Sequence, residues 1–341
     1  MAFSEFPSTS GGGPPPPWET TVNGKIALEE HFAIARYNRR PQFLAADAWR
    51  DVERRLADFT ELRLERMDAT GVELAIISLT SPGVQGERDA REAVEGARAA
   101  NDALAERVAE HPRRFAGFAA VALQDVDQAV AELHRAVSDL GFKGVLVNSY
   151  TATPDGTPAH LDEERFDPFW SALEELGVPL YLHPQILPAD QRGAVTKWPE
   201  MAGPVWEFAT ETSVAALRLI TSGLFDRHPK AQVILGHLGE SLPFNVWRIE
   251  SRMRKAFDRV ELNRSLTSYL CDNFYITTAG HFYTPSFLAT VAVMGSDRVL
   301  YSVDYPFEEM EEGSQWFDNA DIDETLRHKV GRDNSVRLFS L

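Results

Sequence analysis

From residue 25 onward, short apolar runs alternate with longer amphipathic stretches. The runs cover residues 25–29, 72–78, 115–123, 143–148, 178–182, 232–236, 274–278 and 298–303. Several are continuous in Val, Ile, Leu and Ala, the pattern of strands buried on both faces. The stretches between them predict helices. Over 51–70, Val52, Leu56, Phe59, Leu62, Leu64 and Met67 form an apolar stripe at helical spacing. Further helices are predicted over 88–111, 125–140, 164–176, 206–225, 242–257, 286–294 and 323–339. Eight strand–helix repeats are the sequence form of an α/β fold, a (β/α)8 TIM-type barrel in a single domain over 24–341. An open doubly wound sheet also alternates, but no Gly-rich dinucleotide fingerprint follows the first run.

Residues 1–23 break the pattern with Ser8-Thr9-Ser10-Gly11-Gly12-Gly13 and four prolines, Pro14 to Pro17. They carry neither a basic start nor a long apolar stretch and read as a flexible N-terminal tail, not a signal peptide.

In such a barrel the chemistry sits at the C-terminal ends of the strands. Polar residues recur there. Glu29 and His31 close the first run, two apart and so on one face. Glu30 between them is expected to point outward. Asn148 ends the fourth run, His183 and His237 follow the fifth and sixth, and Asp304 follows the eighth. Glu29, His31, His183 and Asp304 form a nitrogen and oxygen set suited to one divalent ion: zinc, manganese or magnesium. His237 reads as either a fifth ligand or an acid/base. Glu240, three residues on where a helix is expected to begin, can orient its imidazole. Arg248 reads as either a surface ion pair or a bidentate anchor for a substrate carboxylate. Asn148 could hydrogen-bond at the site. Phe32, Trp206, Phe208, Tyr305 and Phe307 either wall an apolar pocket or pack in the core. His111, His134, His160, His228 and His328 lie in helices or loops and read as structural or surface residues.

Composition narrows the picture. The formal net charge of −17 argues against nucleic acid and anionic membranes as partners. An anionic substrate therefore needs a local positive centre. The single cysteine, Cys271, excludes an intrachain disulfide and a thiolate-rich metal site, which suits a reducing cytoplasm. No run approaches the ~20 apolar residues of a membrane span.

The motifs resemble the decarboxylase branch of the amidohydrolase superfamily, the ACMSD-like group. They are Gly24-Lys25-Ile26-Ala27-Leu28-Glu29-Glu30-His31-Phe32, Leu146-Val147-Asn148, Leu182-His183-Pro184, Gly236-His237-Leu238-Gly239-Glu240 and Ser302-Val303-Asp304-Tyr305-Pro306-Phe307. Within that group the chain is most similar to the γ-resorcylate (2,6-dihydroxybenzoate) and 2,3-dihydroxybenzoate decarboxylases. The resemblance implies one divalent metal on Glu29, His31, His183 and Asp304, and no organic cofactor. It implies Arg248 at the substrate carboxylate, with His237 and Glu240 beside it. It implies non-oxidative loss of CO2 from a small aromatic carboxylic acid, an ortho-hydroxybenzoate, to give a phenol. Asp304 would protonate the ipso carbon. It also implies a homodimer or homotetramer.

The rival activity is metal-dependent hydrolysis of an amide, ester or lactone. Such hydrolases usually carry His-x-His in the first strand, so Glu29-x-His31 favours the decarboxylases. A non-catalytic binding barrel is disfavoured because every expected ligand is present. The substrate stays open among ortho-hydroxybenzoates. Met67-Asp68-Ala69-Thr70-Gly71 and Leu79-Thr80-Ser81-Pro82-Gly83-Val84-Gln85 look like the carboxyvanillate type, and Tyr305 and His281 like the 2,3-dihydroxybenzoate type.

Overall fold

The computed structural model describes residues 24–188, 191–193, 197–256 and 262–341. The expected tail, 1–23, and the last residue of the expected 242–257 helix lie outside the described residues. Eight parallel strands make the wall: β1 (Lys25–Phe32), β2 (Val72–Leu79), β3 (Phe115–Gly117), β4 (Val145–Asn148), β5 (Leu180–His183), β6 (Val233–Leu235), β7 (Phe274–Thr277) and β8 (Val299–Leu300). β1 pairs with β2 and β2 with β3, while β4 to β8 pair in succession. The third run is strand for three residues only. Phe118 N then donates to Ile77 O, and Ala119 bridges to Val145, carrying the wall across to β4.

The last seam, between β1 and β8, closes mainly through side chains. Leu28 N and Glu29 N donate to Ser302 Oγ at 3.2 and 2.6 Å. The Glu30 carboxylate accepts from Val303 N at 3.0 Å and Tyr305 N at 3.2 Å. Glu30 therefore does not reach solvent as expected. It does point away from the barrel interior, but helices cover that side of the strand and leave it fully buried. Burial pushes its carboxyl up to about 8.

Ile26, Leu28, Ile76, Phe118, Leu146, Tyr181, Ile234, Tyr275 and Leu300 pack in the barrel interior, and a larger apolar layer joins its outside to the helices. Strict alternation along β1 from Ile26 and Leu28 would turn Glu30 inward. A one-residue bulge between Ala27 and Glu30 shifts the register against β2. It brings Glu29 and His31 inward instead, the kind of re-aiming that bulges perform beside active sites.

The helices follow the predicted order, with differences; the expected 323–339 helix, for one, carries a π-helical segment at Lys329–Asp333. The 51–70 helix is broken into Ala46–Ala57 and Leu62–Thr70. Asp58 is extended, and its carboxylate accepts from Glu61 N and Arg63 N, starting the second helix afresh. Helices Leu266–Asn273 and Met310–Asn319 were not expected, and a small hairpin, Tyr150–Thr151 with Ala159–His160, follows β4. The 206–225 helix is divided into Glu207–Thr221 and Leu224–Arg227. Among the described residues no helix is long and apolar enough to cross a membrane.

Candidate active site

At the C-terminal ends of the strands, one ligand atom each from Glu29, His31 and His183 lies within 4.8 Å of the others. Asp304 joins them: its Oδ1 is 3.2 Å from His31 Nε2, while His183 Nε2 is 3.4 Å from Glu29 Oε1. Glu29 Oε1, His31 Nε2 and Asp304 Oδ1 are buried and have no hydrogen-bond partner. Each such orphan costs about 1–3 kcal/mol. All are oxygen or imidazole nitrogen at the same end of the barrel, a donor set that would suit a divalent cation.

The supporting contacts fix each donor. His183 Nδ1 lies 2.7 Å from Pro184 O and 3.2 Å from Asn148 Oδ1, which holds its proton there and leaves Nε2 free. Burial, helped by the charge of His31, lowers His183 to about 3, so it is neutral, the form that ligates. Ser78 Oγ is 3.2 Å from His31 Nδ1. Tyr181 Oη donates to Glu29 Oε2 and lies 2.9 Å from Thr277 Oγ1. Burial, the largest effect, raises Glu29 to about 7 in the absence of a cation.

His237 and Glu240 form a second unit. His237 Nδ1 is 2.6 Å from Glu240 Oε1, and its Nε2 is 3.6 Å from Asp304 Oδ2. Burial alone would lower His237, but the charges of Glu240 and Glu29 outweigh it and raise the imidazole well above its usual range. Burial would likewise raise Asp304, but the imidazoles of His237 and His31 beside it prevail and hold it at about 2. The backbone here is not the expected ordinary helix start. His237, Leu238, Gly239, Glu240 and Ser241 have φ of 49, 54, 80, 52 and 68°. This is a left-handed turn, at a cost of about 1–2 kcal/mol per non-glycine residue. It puts His237 and Glu240 side by side. Buried Leu238 and a hydrogen bond from Ser213 Oγ to Glu240 O hold it. Asp304 is also left-handed, with φ of 79°.

Above this floor opens a cavity of about 700 Å³. His183, His237 and Asp304 line it together with Phe43, Leu44, Ile186, Phe208 and Phe307. Phe307 packs edge-on to His31, ring centroids 5.8 Å apart. Other expected residues fall elsewhere. Phe32 does not reach the cavity: the alternation after His31 turns it outward, where it is 3% exposed and packs on Phe59. Tyr305 is buried beneath Arg63, and Trp206 is exposed. Asn148 does not line the cavity and acts on His183; its Nδ2 is used by Pro82 O and Gln85 Oε1. Arg248 is also outside the lining. Helix Leu242–Ala256 turns Leu242 and Val246 to the barrel, which leaves Phe244, Trp247 and Arg248 on its exposed face. His228 is structural, buried between Glu174 and Asp167.

Sequence reasoning missed Tyr181, Ser78 and Ser302. Tyr181 did carry a signal, being two residues before His183 on the same face of β5. Arg39, Arg40 and Arg88, which also line the cavity, sit in loops; the expected 88–111 helix took in Arg88, but the helix begins at Ala90.

The chain matches the Amidohydrolase family model over residues 16–341. It is 47% identical to a gamma-resorcylate decarboxylase of Rhizobium sp. (strain MTP-10005) over 325 residues, covering 94% of this chain and 99% of that one. It superposes with a TM-score of 0.91 on a 2,6-dihydroxybenzoate decarboxylase crystallised with 2,6-dihydroxybenzoate, at 46% identity, covering 94% of this chain and all (100%) of that chain. A dihydroxybenzoic acid decarboxylase from Polaromonas sp. JS666, with bound manganese and the inhibitor 2-nitroresorcinol, gives the same TM-score of 0.91 at 42% identity, covering 94% of this chain and 98% of that one. With this site on this barrel, the chain belongs to the amidohydrolase family and groups with its decarboxylases.

Proposed function

We propose that the protein is a divalent-metal-dependent decarboxylase of 2,6-dihydroxybenzoate, yielding resorcinol and CO2. The observation that carries this reading is the convergence of three orphaned donors, from Glu29, His31 and Asp304, beside the His237–Glu240 pair at the floor of a cavity with aromatic walls. Glu29, His31, His183 and Asp304 would hold the ion: manganese, as in the relative from Polaromonas, or zinc or magnesium. The chemistry an ion supplies here is fixed positive charge that orients the carboxylate and ortho oxygen of the acid.

Direct loss of CO2 would leave an aryl carbanion. An ortho oxygen makes the ipso carbon electron-rich, so protonation there comes first. The C–C bond then breaks, its electrons restore aromaticity, and CO2 leaves. Asp304 is the donor in this scheme. It is held ionised by His237 and His31, so its proton must come from His237, 3.6 Å away. Glu240 keeps that imidazole oriented and protonated. Asn148 positions His183, and Phe307 bounds the ring.

The test is Asp304→Asn, loaded with manganese. It should still bind 2-nitroresorcinol and lose turnover by about 10²–10⁴-fold. Normal turnover in that variant overturns the assignment. Hydrolysis of a lactone with no release of CO2 would restore the hydrolase reading, which the decarboxylase relatives disfavour. We further propose a cytoplasmic homodimer or homotetramer. The single cysteine and the exposed Trp198, Trp206, Phe244 and Trp247 support it, the last two being 82% and 72% exposed. Light scattering after gel filtration reads the mass, and a monomer refutes it.

A further inference from the structure

A chain of net charge −17 repels an aromatic carboxylate at long range. The mouth of the active-site cavity has the opposite sign. Arg39, Arg40 and Arg88 all line it and all are exposed, which puts them at the rim, away from the buried floor. Among the described residues none of the three side chains makes a hydrogen bond or ion pair. Neighbouring Arg36, by contrast, is engaged by Glu87 and Glu92. The Arg88 guanidinium lies beside Gly156, which lines the same cavity: its Nη2 would be 3.8 Å from a Cβ there. Beyond Asp304 at the floor, Glu308 is the one carboxylate of the lining among the described residues.

We propose that Arg39, Arg40 and Arg88 form a cationic collar that captures anionic aromatic acids and discriminates against neutral phenols. The collar rests on the decarboxylase reading and adds a direction to it. The substrate enters as an anion; the proton taken up at the ipso carbon cancels that charge, and neutral CO2 leaves. The phenol left behind feels no pull from the collar, so the same arginines favour entry of substrate without holding product. Spaced around one opening, their fields overlap within a Debye length of ~8–10 Å, so salt should weaken their effect.

The test is calorimetric binding of benzoate and of resorcinol to manganese-loaded protein at low and high salt. In R39Q/R40Q/R88Q, benzoate should bind about tenfold more weakly at low salt. Resorcinol should bind as before, and the salt dependence seen for benzoate with the wild type should flatten. A control variant, R50Q/R54Q/R107Q, removes the same charge from surface pairs outside the cavity and should bind both ligands as the wild type does. The proposal is overturned if the collar variant binds benzoate normally, if it loses both ligands equally, or if the control weakens benzoate as much. Failure of the decarboxylase reading shows separately, as no resorcinol formed from 2,6-dihydroxybenzoate by the wild type, and leaves the benzoate comparison intact.

Discussion

Gly236→Ala should damage the metal site without straining the backbone. Gly236 follows β6 with φ of −73° and ψ of −174°, a conformation any residue adopts. What it provides is room. A Cβ there would run into Glu29 Oε2, with Oε1 at 3.1 Å and Cδ at 3.2 Å, all inside ordinary contact distance. The carboxylate cannot yield freely. It is fully buried, Tyr181 Oη holds the same Oε2, and Ser302 Oγ pins the Glu29 backbone at 2.6 Å. Moving it by about an ångström forfeits the Tyr181 bond and misplaces a metal donor. Overpacking of this kind costs about 1–3 kcal/mol of stability. Disturbing the orientation of a ligand weakens metal binding by about 10–100-fold, equivalent to about 1.4–2.7 kcal/mol. The assay is manganese titration against a competing chelator, paired with melting in chelator alone. The expected result is a raised Kd together with a modest drop in the apo Tm. A variant with unchanged manganese Kd would falsify the placement of Glu29 at the metal.

Other consequences follow from the same geometry. Tyr181→Phe removes the phenol that orients Glu29 while filling nearly the same volume, so manganese affinity should fall about 10–100-fold, as read by the same titration; full affinity would show that the hydrogen bond is idle. Lys25→Met leaves the buried Asp318 carboxylate without the ammonium that sits 2.8 Å away. Denaturant unfolding should show a loss of about 3–5 kcal/mol, with the manganese Kd unchanged because the pair lies at the opposite end of β1 from the site. Glu211 is buried, and desolvation raises it from 4.5 to about 8. A raised carboxyl favours the folded state most below about 4.5, and that contribution is lost as pH rises through about 8. Glu211→Gln should flatten the fall in stability across that window, and an unaltered pH profile would contradict the shift.

The barrel was legible because its strands are buried on both faces and announce themselves as unbroken apolar runs. The site was legible because Glu29, His31, His183, His237 and Asp304 all sit just where such runs stop. What escaped notice depends on contacts between distant segments. The bulge in β1 is defined only by register against β2, so Leu28 and Glu29 both facing inward could not be foreseen from alternation. Glu30 looked solvent-facing until Val303 N and Tyr305 N closed over it. The left-handed turn at 237–241 has one glycine among five residues, and its remaining strain is held by tertiary packing, not by local preference. Arg248 and Phe32 sit close in sequence to site residues, but helix phase and strand alternation carry them elsewhere. Asp58 broke a helix whose apolar stripe runs unbroken through it, because its carboxylate caps the next segment.

The most direct test incubates manganese-loaded protein with 2,6-dihydroxybenzoate in D2O and follows the aromatic product by NMR alongside CO2 release. The account predicts resorcinol and CO2 in equal amounts, with deuterium at the carbon that bore the carboxylate, and no reaction after the metal is chelated. An intact acid in the presence of manganese, or undiminished turnover after chelation, would contradict it.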